Sequence, residues 1–180
     1  MFTYTADFSS LTHYIIKNFV KEKSVAIDGT LGIGFDTDFL ADNFKLVYAF
    51  DIQKIACETY KQKEKQNVLV INDSHHKFLE YIKENVNCIV YNLGFLPGGD
   101  KSITTCYNSS LESIKLGLDI LESEGMMLIT SYRGHDEGMS EYIYIKEYLD
   151  NLPKNRYAVM KHEIINRSNK SPVLFVIEKK

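Results

Sequence analysis

Three carboxylates, Asp28, Asp36 and Asp51, and three glycines, Gly29, Gly32 and Gly34, have the types and spacing to hold an adenosine-bearing ligand. Val25, Ala26 and Ile27 form a short apolar run ending on Asp28, where a buried strand would leave its sheet. The glycines that follow let the backbone turn tightly and come close to a ligand. Asp36 and Thr37 then open a helix whose apolar positions are Phe39, Leu40, Ala41 and Phe44. A second strand-like run, Leu46 to Phe50, ends on Asp51. That acid stands roughly 20 residues beyond the first glycines, where α/β nucleotide folds place the carboxylate that grips a ribose.

The charges narrow the ligand. The dinucleotide pattern G-x-G-x-x-G is broken by Thr37 at its third position, and no Lys-Ser or Lys-Thr pair closes a phosphate loop. A pyrophosphate needs a helix N-terminus free of negative charge, and Asp36 occupies that place. Acids suit a cationic adenosine ligand, and S-adenosylmethionine carries both an amine and a sulfonium. The competing interpretation is a strand, a turn and a capped helix without a ligand.

Two further stretches fall where strands would end on the same side of a sheet. Asn72-Asp73-Ser74-His75 follows a third strand at Asn67 to Ile71. Asp73 there could receive the adenine amine or cap the next helix, and both roles coexist if Ser74 caps. The neighbouring His75 and His76 would point to different faces, so a metal pair is not expected. The fourth strand, Asn87 to Tyr91, delivers Asn92-Leu93-Gly94-Phe95 and then a loop containing Pro97, Gly98, Gly99, Asp100 and Lys101. The Asn92 carbonyl can accept an N–H in the crevice, and Phe95 offers a flat face to a planar ring.

The elements needed to position these residues read as an α/β chain. Phe8 to Val20 has near-helical apolar spacing and forms a lead-in helix, in which His13 reads as a packing residue. Helices are expected at 53–65, 78–83, 103–123 and about 140–151, with a fifth strand from Met126 to Tyr132. Strands at about Tyr157–Ile164 and Val173–Glu178, joined by a polar loop without a helix, must be antiparallel. The implied fold is a mostly parallel, Rossmann-like seven-stranded sheet with helices on both faces and an antiparallel terminal hairpin, the layout of a class I methyltransferase. With 180 residues, 1–180 is one domain in this interpretation, 1–23 being its lead-in. The net charge of −3 argues against coating nucleic acid by bulk electrostatics but not against a local basic patch. No membrane span or signal peptide is legible, and Cys57, Cys88 and Cys106 are too scattered for a thiolate site, so a cytoplasmic protein is expected.

The segments DGTLGIGFDTDFLA, VYAFDIQ, NDSH, NLGFLPGGDKSITT and YRGHDEG together resemble bacterial class I methyltransferases once labelled rRNA methylases, the MnmM/YtqB type. The resemblance runs from His13 to the loop before the last strand. It implies transfer of a methyl group from S-adenosylmethionine to the amine of 5-aminomethyl-(2-thio)uridine at the tRNA wobble position. It further implies cofactor contacts from Asp28, Gly29, Gly32 and Gly34, with Asp36 and Thr37 beside them. Asp51, Ile52 and Gln53 would hold the ribose and adenine edge, Asp73, Ser74 and His75 would lie at the adenine, and Asn92 and Gly94 beside the sulfonium. Asn92 would orient the amine, Phe95 stack near the base, and Asp100 or His135 accept the surplus proton. Lys101, Arg133, Arg167 and Lys170 are the candidates for phosphates of the tRNA anticodon arm, and a homodimer sharing the RNA surface fits so small a fold. Two departures stand out. The family usually has alanine at position 29 and Asn-Gly-His after Gly32, where this chain has Gly29 and Ile33-Gly34-Phe35, which implies a more flexible loop. Arg133 replaces a commonly uncharged residue. Other acceptors (rRNA, another amine) and a non-catalytic module that binds S-adenosylmethionine are the alternatives.

Overall fold

The computed structural model describes residues 4, 5, 7–94 and 105–180. Its elements run α1 (Phe8–Phe19), β1 (Val25–Asp28), α2 (Phe35–Asn43), β2 (Leu46–Phe50), α3 (Lys54–Lys61) and β3 (Val68–Ile71). A 3₁₀ turn at His75–Lys77 leads into α4 (Phe78–Tyr81), then β4 (Val86–Leu93), α5 (Tyr107–Ile120), β5 (Leu121–Ser131), α6 (Asp136–Asp150), β6 (Tyr157–Glu163) and β7 (Val173–Lys179). The seven strands form one sheet in the order β3-β2-β1-β4-β5-β7-β6. The first five are mutually parallel, whereas β7 runs antiparallel to both β5 and β6.

Strand patterning explains the layers. Side chains alternate across a strand, and both sheet faces are covered, so the central strands are apolar throughout. Ile27, Ile89, Tyr91, Met127 and Ile129 face one side, where Phe78, Ile114, Leu118, Ile145 and Leu149 pack on them from α4, α5 and α6. Ala26, Cys88, Val90 and Leu128 face the other, under Leu11, Ile15 and Ile16 of α1 and Leu40 of α2. The direction of strand progression reverses between β1 and β4. A crevice opens at such a reversal, outside the carboxyl ends of the strands.

The fold is the expected one, with boundaries that differ in places that matter. β4 continues through Asn92 and Leu93, which pair with Thr130 and Ser131 of β5, so Asn92 belongs to the ladder rather than to an exit loop. β5 begins at Leu121, and its register to β4 jumps from Val86↔Leu121 to Cys88↔Met126, the extra residues bulging at Glu124, whose φ is +63°. α6 starts at Asp136, capped by His135, several residues before the apolar periodicity suggests. α3 stops at Lys61 and α4 at Tyr81, shorter than read from spacing. Among the described residues no helix is long and apolar enough to cross a membrane.

Candidate active site

A cleft of about 460 Å³ lies at the carboxyl ends of β1, β2, β3 and β4, within the size range of small-molecule sites. The loop after β1 forms its floor. Gly29 N–H donates to Val90 O (2.9 Å) and Leu31 N–H to Phe50 O (2.8 Å), stitching that loop to β4 and β2. Gly32 (φ +52°) and Gly34 (φ +85°) take left-handed conformations that a side chain would strain, and Gly34 N–H closes the turn on Leu31 O. Any flexibility implied by glycine at position 29 is removed by the neighbours: the Tyr91 ring fills the space a Cβ would occupy.

Asp51 is fixed by the chain itself. Its Oδ2 accepts from Gly32 N–H (2.9 Å) and its Oδ1 from Gln53 N–H (2.8 Å). Burial pushes its pKa up, and the two backbone donors pull it back. Each oxygen keeps a lone pair for a further donor, which suits a vicinal diol. Ile52 beside it and Ile33 opposite are 54% and 68% exposed, leaving large apolar surfaces on the cleft.

At the other end of the cleft, Asn92 is held from two directions. Its backbone N–H donates to Thr30 Oγ1 (2.7 Å), and its Nδ2 donates to Asp36 Oδ2. The second oxygen of Asp36 bonds His13 Nε2 at 2.7 Å. Asn92 Oδ1 is buried with no hydrogen-bond partner among the described residues. His75 is similarly half-satisfied: Nδ1 donates to Gly29 O (2.9 Å), Nε2 has no partner among the described residues, and burial lowers its pKa to about 4, so the ring is neutral.

The structure separates the remaining expected residues into those that line the cleft and those that do not. Gly29, Gly32, Asp36, Asp51, Ile52, Gln53, Asp73, Ser74, His75, Asn92 and Gly94 line it. Asp28, Gly34 and Thr37 do not. Asp28 is fully buried behind the loop, where Oδ1 accepts from Thr30 N–H (2.9 Å) and Oδ2 from the Thr37 hydroxyl (2.5 Å). Burial, with Asp36 nearby, raises its pKa to about 7. Its role is to shape the turn. Asp73, though on the cleft, caps its own segment, accepting from Ser74 N–H (2.7 Å) and the Tyr81 hydroxyl (2.8 Å) and pairing with Lys77 (3.1 Å). Ser74 bonds His76 Nδ1 instead of capping the turn.

His135 likewise does not line the cleft; its Nδ1 accepts from Gly138 N–H (3.0 Å) at the start of α6. Arg133 is 6% exposed, paired with Glu163 (2.8 Å), bonded to Ser171 O (2.8 Å) and set over the Tyr142 ring. It braces the β6–β7 hairpin and is not free to meet a phosphate. Arg167 and Lys170 are exposed on the loop between β6 and β7, at the end of the sheet where β5 finishes, as the Ser131↔Val173 pairing shows. Phe95, Asp100 and Lys101 lie outside the described residues.

Three residues not singled out for the site by sequence take part in it. His13 holds Asp36, Thr30 holds the Asn92 backbone, and Glu141 ties down the segment entering α5. The Glu141 carboxylate is 1% exposed and accepts from Ser110 (2.6 Å) and Thr105 (3.0 Å), while Thr105 N–H bonds Gly94 O (3.0 Å). Nothing in the local pattern marked Glu141, a helical acid like its neighbours. Taken together, the described cleft-lining residues include Asp36, Asp51 and Asp73 and no lysine or arginine. Such a site favours a cation and disfavours a pyrophosphate.

Comparison with known proteins gives a consistent set of relatives. The profile of the family described as "Putative rRNA methylase" matches residues 47–178. The chloroplastic tRNA (mnm(5)s(2)U34)-methyltransferase of Arabidopsis thaliana is 29% identical over 189 aligned positions, spanning 95% of this chain and 69% of that one. Among solved structures, one from Clostridium thermocellum described as a "putative rRNA-methylase" is 32% identical, with a TM-score of 0.90 over 95% of this chain and 96% of that one. A structure from Streptococcus mutans described as "a putative methyltransferase", in complex with SAH, is 33% identical, with a TM-score of 0.87 and coverage of 95% and 97%.

Proposed function

The chain belongs to the rRNA methylase family, and we propose that it methylates the amine of a 5-aminomethyl-(2-thio)uridine at the tRNA wobble position. It is an S-adenosylmethionine-dependent methyltransferase. The cleft fits that cofactor: three acids and, among the described residues, no lysine or arginine line it, Asp51 offers two oriented oxygens for a ribose, and Ile33 and Ile52 offer apolar faces for an adenine. When bound, S-adenosylmethionine supplies a methyl group on a cationic sulfur.

The protein has little acid–base work to do, because a neutral amine attacks an already activated methyl. Alignment and exclusion of water are what it contributes. The observation that carries the proposal is the buried Asn92 Oδ1 on this cleft, which has no hydrogen-bond partner among the described residues. A buried carbonyl without a donor is costly, and an amine N–H satisfies it. Accepting that N–H turns the nitrogen lone pair away from Asn92 and into the cleft. Arg167 and Lys170 are the described cations at this end of the sheet that would meet anticodon-arm phosphates. The relative named as a tRNA methyltransferase supports the acceptor, and a cytoplasmic location belongs to the same proposal.

The test is methyl transfer from labelled cofactor to tRNA purified from a strain lacking the activity, resolved by isoacceptor and by nucleoside mass spectrometry. Asn92→Ala is expected to lower turnover about a hundredfold or more while cofactor affinity stays within a few-fold. Undiminished turnover in that variant would remove the orienting role. The family description favours a second acceptor, rRNA, so ribosomal RNA from the same strain is the parallel substrate. Label appearing there and not in tRNA would replace the proposal.

A further inference from the structure

The function proposed for Asn92 leaves one degree of freedom unexplained. An asparagine amide is nearly the same shape after a half-turn about its last bond, which exchanges a two-donor end for an acceptor end. Its backbone is fixed by the ladder with Thr130 and by the bond to Thr30, but neither selects between the two orientations. Only the acceptor orientation can receive an amine N–H. The other would donate an N–H to the amine's lone pair and tie up the electrons that must attack the methyl.

We propose that His13 and Asp36 are positioning residues that decide this orientation, holding the Asn92 carbonyl oxygen toward the cleft. Asp36 Oδ2 faces Nδ2 of Asn92 and accepts its N–H, which leaves Asn92 Oδ1 free. Asp36 is itself held on its other oxygen by His13 Nε2, at 2.7 Å. The His13 ring cannot swing away, because it stacks on Phe39 (centroids 4.0 Å apart, 5° between planes) and on Phe35 (5.0 Å, 25°). His13 lies one turn beyond Ser9 on α1, and Ser9 lines the cleft, so the lead-in helix reaches the site twice on one face. The chain α1–α2–β4 thus runs through three side chains. His13 itself does not line the cleft. Its removal should leave cofactor and RNA contacts in place and act on the transfer step alone.

This inference rests on the orienting role of Asn92, and a double-mutant cycle separates the two. His13→Phe keeps a ring for the stack and deletes the donor. With tRNA from the strain lacking the activity as substrate, it is expected to lower kcat about tenfold with both KM values unchanged within about twofold. In an Asn92→Ala background the same change should cost nothing further, because the group it positions is gone. Exchange of the Asn92 side-chain amide protons with solvent, followed by NMR without any substrate, should quicken in His13→Phe. A kcat equal to wild type in His13→Phe overturns the inference, as does an undiminished loss in the Asn92→Ala background. If His13→Phe does not fold, Asp36→Asn, whose amide can face Asn92 in either sense, reports the same coupling. Wild-type turnover in Asn92→Ala alone would instead sink the orienting role itself, while the exchange measurement would still judge whether His13 pins the amide.

Discussion

Substituting Gly29 by alanine, the residue usual in the family this chain resembles, is expected to destabilise this protein. A Cβ at position 29 would stand 2.4 Å from Tyr91 Cε1 and 2.6 Å from Cδ1, where ordinary contacts begin at 3.4 Å. The ring cannot yield. Tyr91 is wholly buried, its hydroxyl bonds Ser113 at 2.7 Å, and the His75 ring sits edge-on against it at 5.7 Å. The loop cannot yield cheaply either, because Gly29 N–H bonds Val90 O and Gly29 O receives His75. Relief of about 1 Å must come from one of these, and overpacking of this kind costs about 1–3 kcal/mol. Gly29 is not in the left-handed region, so alanine regains about 0.4–1 kcal/mol by restricting the unfolded chain. The net is about 0–2.6 kcal/mol, and its mid-range of about 1.3 kcal/mol corresponds to a fall of roughly 3–5 °C in Tm for a domain of this size. Scanning calorimetry on Gly29→Ala, Tyr91→Leu and the double variant tests the cause, since the smaller side chain makes room for the added methyl. The double variant should lose less than the two single losses combined. A Gly29→Ala protein melting within 1 °C of wild type, to order of magnitude no change at all, or strictly additive losses, would refute the argument.

Asp28 and His75 should pull stability in opposite directions with pH. Asp28 has its pKa raised from 3.8 to about 7, so its contribution is full below 3.8 and lost as pH rises through about 7. His75 has its pKa depressed from 6.5 to about 4, so its contribution is full above 6.5 and lost as pH falls through about 4. Urea midpoints of Asp28→Asn should therefore climb more steeply with pH across this window than those of wild type, and parallel profiles would contradict the burial of that acid. Arg133→Gln should lower Tm without changing how RNA affinity depends on salt, because its guanidinium is spent on Glu163 and Ser171. Arg167→Ala and Lys170→Ala should each flatten the slope of log K against log salt by about 0.7, measured by filter binding.

Much of the architecture could be read from the chain because its signals are local. Val25–Ile27, the glycines and the helix from Phe35 form one contiguous unit, and the strand pair without an intervening helix could only be antiparallel. What escaped was set by partners distant in sequence. Asp28 and Asp36 look alike as acids flanking a glycine turn. Only the Thr37 hydroxyl and the Thr30 N–H turn Asp28 inward, while Asp36 meets the cleft. Arg133 resembles an exposed loop cation until Glu163, thirty residues on, takes it. His13 sits on an apolar helix, where packing is the ordinary role for histidine, and its function depends on a carboxylate in another helix. The extension of β4 through Asn92 was hidden because the strand's apolar run ends one residue earlier, at Tyr91, and the pairing to Thr130 carries it on.

The hydrogen bond between Gly94 and Thr105, braced by the Glu141 carboxylate, brings two points in the chain together regardless of what connects them. A segment whose anchors are already joined can be replaced wholesale at little entropic expense to the scaffold. Residues 95–104 are therefore the natural graft site for chimeras: a sister enzyme's stretch transplanted there should fold on this sheet. Any change in the acceptor such a hybrid prefers could then be credited to the transplant alone.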